Sequence, residues 1–309
     1  SHGAPVIQVM ANVGSVADAT KVQSADGVGL LRTELFFLDH KIAPTRAQQV
    51  KIYEQVLAAG PDGEIIVRTL DAGSDKPIVF LGLGREENPA LGLRGQRVAA
   101  IASKFYEDQL HAIKAAGDEV RATGKKIEVS VMAPMIATVE EAQVFAKEAR
   151  AAGFTRVGIM VEIPAITRVV PQLKGVVDFL SIGTNDLSQY LFAADRVNSA
   201  VAALLNPWQP ALLSTLESIA TESAAAGIKV GVCGEAASDP LLAVVMAGLG
   251  INSVSASPSS VAAVADLLSR VDVSAAKSAA MAARSATTAR DAKAATKGAL
   301  LNRKNCVGY

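Results

Sequence analysis

Short β-branched runs alternate along this chain with Ala-rich stretches in which apolar residues recur every three or four positions. The runs fall at residues 6–10, 29–32, 65–69, 127–132, 156–161, 177–182, 229–232 and 253–256. Strands separated by helical patterns imply a parallel sheet, because parallel neighbours need a crossover that is usually helical. Eight such units in a chain of 309 residues predict an α/β fold, a closed (β/α)8 TIM barrel. An open doubly wound sheet is the alternative, but no Gly-x-Gly-x-x-Gly turn follows the first run.

The helical stretches carry their own punctuation. Residues 45–59 start at a cap, Thr45, and place Val50, Tyr53, Val56 and Leu57 on one face. A long helix is expected over 96–116 with Gly117 as its stop. Thr138 with Glu141 forms a capping-box pattern for a helix ending near Gly153. Further helices are expected at 210–226, closed by Gly227, at 240–248 and at 259–270, while Pro171 shortens the one after the fifth strand. Residues 71–97, after the third strand, are too rich in Gly, Pro and charge for a helix. They read as a long β3α3 loop over the barrel's C-terminal face. The stretch 275–301 reads as a C-terminal helical tail with a weak apolar stripe.

Half of the residues are hydrophobic but only 4% are aromatic, so Ala, Val, Leu and Ile must build the core. Thirty basic and thirty acidic residues cancel, which gives no argument for a nucleic-acid or membrane partner. The two cysteines, Cys233 and Cys306, make no disulfide framework, and a reducing, cytoplasmic setting is the default. No apolar run reaches the length of a membrane span and no charged-then-apolar leader opens the chain. Residues 1–3 read as a tag remnant, leaving 4–309 as a single barrel domain in which Cys306 has no role.

In (β/α)8 proteins the site is built where strands end and βα loops begin. The second strand delivers Arg32 and Glu34 there. The third delivers Arg68 and Asp71, and its loop adds Lys76, Arg94 and Arg97. Met132, Pro134 and Met135 give an apolar wall after the fourth, and Glu162 ends the fifth. The polar stretch 183–190 follows the sixth as a loop, with Asn185, Asp186 and then Arg196. Cys233-Gly234-Glu235 follows the seventh. Either arginine inside an apolar run is read first as half of a structural ion pair. Several together at one mouth leave excess positive charge that suits a phosphate. Glu162 and Asp186, on adjacent strands, suit Mg²⁺ or Mn²⁺, or else ion pairs with the arginines. Cys233 is either an inert buried thiol or a proton donor.

Gly27-Val28-Gly29-Leu30-Leu31-Arg32-Thr33-Glu34, Val67-Arg68-Thr69-Leu70-Asp71 and Glu87-Asn88-Pro89-Ala90-Leu91-Gly92-Leu93-Arg94 resemble the phosphoenolpyruvate-utilising enzyme family. So do Val161-Glu162, Gly183-Thr184-Asn185-Asp186-Leu187 and Cys233-Gly234-Glu235. Their order and spacing are most similar to the C-terminal domain of the family's enzyme I branch, of the bacterial sugar phosphotransferase system. The resemblance implies a barrel that binds phosphoenolpyruvate (PEP) with Mg²⁺ held by Glu162 and Asp186. Arg32, Arg68 and Arg196 would grip the phosphoryl group, assisted by Arg94. Asn185 would orient the substrate and Cys233 would protonate the enolate to pyruvate. The phosphoryl acceptor would be a histidine on a separate N-terminal domain, and through it the phosphocarrier protein HPr; His40 and His111 resemble no acceptor motif. The chain alone is therefore expected to bind PEP without turning over, and by resemblance to form a homodimer. Pyruvate phosphate dikinase and PEP synthase share the motifs; a metal-dependent aldolase or lyase, and a non-catalytic dimerisation platform or regulator that binds PEP as a signal, are the competing classes. Gly73-Ser74-Asp75-Lys76 stands where the family has two glycines before Asp-Lys.

Overall fold

The computed structural model describes residues 3–74 and 78–301. Ser1 and His2 of the expected tag remnant, Asp75 and Lys76 of the long loop, and Cys306 lie outside the described residues. The strands are β1 (Gln8–Val13), β2 (Gly27–Arg32), β3 (Gly63–Arg68), β4 (Ile127–Ala133), β5 (Val157–Val161), β6 (Phe179–Ile182), β7 (Lys229–Val232) and β8 (Ser253–Ala256). They form a closed barrel in chain order, β1 to β8, and the registers seen are parallel. The helices are α1 (Val16–Lys21), α2 (Arg46–Ala59), α3 (Ser103–Ala122), α4 (Val139–Ala151), α5 (Thr184–Leu191), α6 (Pro210–Ala226), α7 (Pro240–Gly248), α8 (Val261–Arg270), α9 (Val273–Arg284) and α10 (Ala289–Leu301). The fold is thus the (β/α)8 barrel that the alternating pattern predicts. By their contacts the described residues divide into two compact units: those within 11–160 with 175–179, and those within 3–10 with 161–174 and 180–301.

In the first unit, β2, β3 and β4 are in register so that Arg32 lies beside Arg68 and Arg68 beside Met132. Three strand ends therefore come level. Thr45 caps α2 as expected, and Gln48 completes a capping box; Gln49 is buried on its inner face where Val50 was expected. The helix expected over 96–116 is displaced. A 3-10 stretch occupies Gly95–Ala100 and α3 runs through Gly117 to Ala122. Gly117 does not stop it: a Cβ there would lie 2.9 Å from Val129 Cγ2, so the glycine lets α3 sit close on β4. The long loop is folded into short 3-10 turns at Val79–Leu81 and Pro89–Leu91. The scarce aromatic residues concentrate here, with Phe80 of the loop 5.1 Å from Phe105 of α3 and Phe105 5.5 Å from Phe37.

In the second unit, backbone bonds carry strand pairing out to the ends. Gly183 donates to Val161 and Cys233 donates to Ile182. The helix after β5 is reduced to 3-10 turns on either side of Val169, as Pro171 foretold. The expected single tail is two helices. Ala275, Ala276, Ala279, Ala280 and Ala283 form the buried stripe of α9, and a Cβ at Gly248 would collide with the Ala276 carbonyl. Small residues on both partners thus let α7 and α9 approach closely. Among the described residues no helix is long and apolar enough to cross a membrane.

Candidate active site

Of the residues singled out in the sequence, Glu34, Arg68, Asp71 and Arg94 come together in the first unit, and Asp186 with Arg196 and Asn185 with Glu235 in the second. In the first, Arg68 Nη2 pairs with Glu34 Oε1 at 2.6 Å and Nη1 with Asp71 Oδ2 at 3.3 Å, while Arg94 Nη2 reaches the same Asp71 oxygen at 3.4 Å. All four side chains are buried. Arg68 and Arg94 each have a carboxylate partner, the structural ion-pairing that the sequence reading put first for a single arginine in an apolar run. Burial explains it: a charge in this interior persists only if paired. Arg32 differs. Its half-buried guanidinium has no ion-pair or hydrogen-bond partner among the described residues, although it stands in register beside Arg68. Glu34 Oε2 is likewise buried and unpartnered among them.

A buried polar network that the sequence reading missed fixes this cluster from behind. Gln109 of α3 accepts from the Leu70 N–H at 2.9 Å and donates to Thr33 Oγ1 at 3.2 Å and to the Tyr53 hydroxyl at 3.0 Å. Thr33 in turn donates to the Arg68 carbonyl at 2.8 Å. The Tyr106 hydroxyl lies within 3.0 Å of the Leu70 carbonyl and 2.9 Å of the Gly95 carbonyl. Burial raises the Tyr106 pKa, and the Asp71 and Glu34 carboxylates raise it further, so the hydroxyl stays protonated as a donor. A polar residue set in the apolar stripe of α3 was the available signal for Gln109. Behind Arg94 comes Gly95, with φ +60 and no room for a side chain: a Cβ would lie 2.8 Å from Met135 Cγ and 3.2 Å from Asp71 Oδ1. Met135 also has positive φ, at 59°, and is buried, as is Met132 of the expected apolar wall.

The second cluster corrects the local structure expected for 183–190. This stretch is not a loop: Gly183 is the N-cap of α5, which puts Asn185 and Asp186 in the first turn of a helix. The Val161 carbonyl takes the Gly183 N–H, fixing where the helix starts. Asn185 Oδ1 accepts from the Glu235 N–H at 3.0 Å, linking α5 to the turn after β7. Gly234 is required there, because a Cβ would collide with Thr184 Oγ1 and lie 2.8 Å from its backbone nitrogen. Arg196 pairs with Asp186, Nη1 to Oδ1 at 3.3 Å, and its N–H donates to Gln189 Oε1 at 2.8 Å. Cys233 is buried, with its thiol 3.6 Å from the Ile182 carbonyl. A cavity of about 520 Å³ opens here, lined by Thr184, Asn185, Ser188, Arg196 and Glu235 among others. Thr184 Oγ1 is buried with no hydrogen-bond partner among the described residues.

Glu162 and Asp186 are both buried, 1% and 6% exposed, and follow β5 and β6, neighbours in the barrel. Among the described residues no three or more His, Cys, Asp or Glu side chains are grouped to hold a metal. Mg²⁺ does not need such a cage, since one or two carboxylates with water and substrate oxygens complete its octahedron. Two hard oxygen donors of this kind fit it.

The sequence matches the family described as PEP-utilising enzyme, PEP-binding domain, over residues 3–273. It is 47% identical over 253 residues to the phosphoenolpyruvate-protein phosphotransferase of Streptomyces coelicolor, covering 81% of this chain and 45% of that protein. The phosphoenolpyruvate-protein phosphotransferase of Haloferax volcanii is 40% identical over 287 residues, covering 88% of this chain and 50% of its own length. The multiphosphoryl transfer protein of Rhodobacter capsulatus is 41% identical over 268 residues, with 84% and 31% covered. The chain thus spans half or less of the length of these relatives.

Proposed function

The chain belongs to the PEP-utilising enzyme family, matching its PEP-binding domain, and from that premise we propose that it is the PEP-binding part of a phosphoenolpyruvate-protein phosphotransferase. The observation that carries the reading is Arg32: a half-buried cation without a carboxylate among the described residues, in register beside the ion-paired Arg68. An anionic ligand supplies what that guanidinium lacks. The relatives' names supply the reaction, transfer of a phosphoryl group from PEP to protein.

Each residue has a definite task in this account. Arg32 and Arg68, with Arg94 and Arg196, take the phosphoryl oxygens, whose fork geometry suits guanidinium. To do so Arg196 shifts from Asp186, a move open to a side chain that is about one-third exposed. Glu162 and Asp186 would hold Mg²⁺, which when bound would supply positive charge against that developing in the transfer. Asn185 orients the substrate through its amide nitrogen, its oxygen being used by the Glu235 N–H. A histidine nitrogen on a separate N-terminal phosphohistidine domain attacks phosphorus as the enolate oxygen leaves. The Cys233 thiol then gives its proton to the enolate carbon, forming pyruvate, and the thiolate recovers a proton from solvent. That thiol is buried beside the Ile182 carbonyl. The phosphohistidine passes its group onward to HPr, and the working protein is a cytoplasmic homodimer.

The test is complementation in trans. This chain, mixed with the separately produced histidine domain, Mg²⁺ and labelled PEP, is expected to label that domain and release pyruvate in equal amounts. Release of pyruvate without label on the histidine domain would reject the phosphotransferase reading in favour of a hydrolase or lyase.

A further inference from the structure

Bordering the 520 Å³ cavity, with which it shares Pro207 and Asp239, the second unit holds a larger cavity of about 700 Å³, lined by Asn206, Trp208, Asp239, Arg290, Lys293 and Lys297 among others. Three cations face one carboxylate. Arg290, Lys293 and Lys297 stand three and four positions apart on α10, the spacing that puts side chains on one helix face. Thr288 Oγ1 accepts from the Asp291 N–H, which fixes the start of α10. Ala289 and Arg290 of its first turn line the cavity, so the positive end of the helix dipole adds to the side-chain charge. Asp291, the acidic neighbour, is held by the Thr288 hydroxyl at 2.8 Å.

The opposite wall is built to receive Lys293. Its ammonium lies 3.5 Å from Asp239 Oδ2 and 5.7 Å from the centre of the Trp208 ring. The indole N–H donates to the same Asp239 oxygen at 3.1 Å, and Asp239 Oδ1 caps α7 through the Leu241 N–H at 2.9 Å. One carboxylate therefore serves a helix cap, an indole and an ammonium. A half-exposed lysine on such a shared partner is the most easily exchanged of the three. A ligand with two or more oxyanions gains Arg290 and Lys297 together with Lys293, which no single surface carboxylate offers. A volume of this size also holds a small metabolite rather than a lone ion.

We propose that this cavity is a second binding site, for a small polyanionic metabolite bearing clustered phosphates or carboxylates. Arg290, Lys293 and Lys297 grip the oxyanions, and the Trp208 indole forms the wall. Its three cations are none of the residues assigned to PEP, although the two cavities share Pro207 and Asp239.

Trp208 is the single tryptophan of the sequence, so its fluorescence reports this cavity directly. The chain is titrated with pyrophosphate and, separately, with citrate, each against sodium chloride of equal ionic strength. A saturable change in Trp208 emission with either polyanion, absent with chloride, is the expected result, and the tighter of the two assigns phosphate or carboxylate. The double variant Lys293→Ala, Lys297→Ala is expected to bind at least about tenfold more weakly, while Lys293→Arg retains the response. Arg32→Ala, which disables the candidate PEP cluster, keeps the response in full and so separates the two sites. Emission that does not saturate, that chloride reproduces, or that the double variant leaves unchanged while still folded by circular dichroism, overturns the proposal.

Discussion

Truncating Arg32 and truncating Arg68 should damage the protein in opposite ways. Arg68 is 6% exposed and ties Glu34 and Asp71 at 2.6 Å and 3.3 Å. Arg68→Ala removes the guanidinium that ties those two buried carboxylates together. Breaking a buried pair costs about 3–5 kcal/mol, so the variant should lose a large part of its stability along with its ligand. Arg32 has no such partner among the described residues, and its loss should move stability by no more than about 0.5 kcal/mol. Its contribution is to a bound anion. One charged hydrogen-bonding group is worth about 1.5–3 kcal/mol, or roughly ten- to 150-fold in Kd for PEP. Urea unfolding reads the first quantity and calorimetry with PEP and Mg²⁺ reads the second. An Arg32→Ala chain that unfolds as early as Arg68→Ala, or that binds PEP as tightly as the parent, would refute the reasoning.

Other substitutions separate the remaining parts of the account. Gly234→Ala forces a Cβ onto Thr184, so the contact of Asn185 with the Glu235 N–H should be lost and PEP affinity should fall about tenfold or more, measured by calorimetry. Cys233→Ala should leave PEP affinity unchanged and slow pyruvate release by about 10²-fold or more in the trans assay, whereas equal loss of both would remove the thiol as proton donor. Asp108 is a pH probe. Burial pushes its carboxyl up, but hydrogen bonds from Lys104 and Arg46 outweigh this and hold it below the usual aspartate range. A depressed carboxyl stabilises the fold above its unfolded pKa and loses that stabilisation as pH falls through the folded value. With both partners largely exposed, Asp108→Asn should cost no more than about 1 kcal/mol at pH 7, and the difference in urea midpoint should vanish in acid.

The barrel was legible because its signal is periodic. Each short β-branched run before an Ala-rich stretch is a strand before a crossover, and β7 and β8 match their expected bounds residue for residue. What misled was local chemistry decided by tertiary packing. Gly117 has the look of a helix stop but serves a close approach to Val129. Gly183 reads as the start of a loop, yet pairing of its N–H with the Val161 carbonyl lets α5 begin there. The site residues were visible as charges in apolar surroundings, but their pairing was not. A sequence shows Arg68 and Glu34 as separate symbols, and only register brings them to 2.6 Å. Gln109 was hidden for the same reason, since its partners Thr33, Tyr53 and Leu70 lie on other elements.

The central claim is that this chain is a PEP site that needs a metal. Calorimetric titration of the chain with PEP, in Mg²⁺ and again after the metal is chelated, tests it most directly. The account predicts saturable binding of one PEP per chain in Mg²⁺, weakened strongly by chelation, since Glu162 and Asp186 are taken to reach the ligand through the metal. Binding that is indifferent to Mg²⁺, or no binding in either condition by a folded chain, would contradict it.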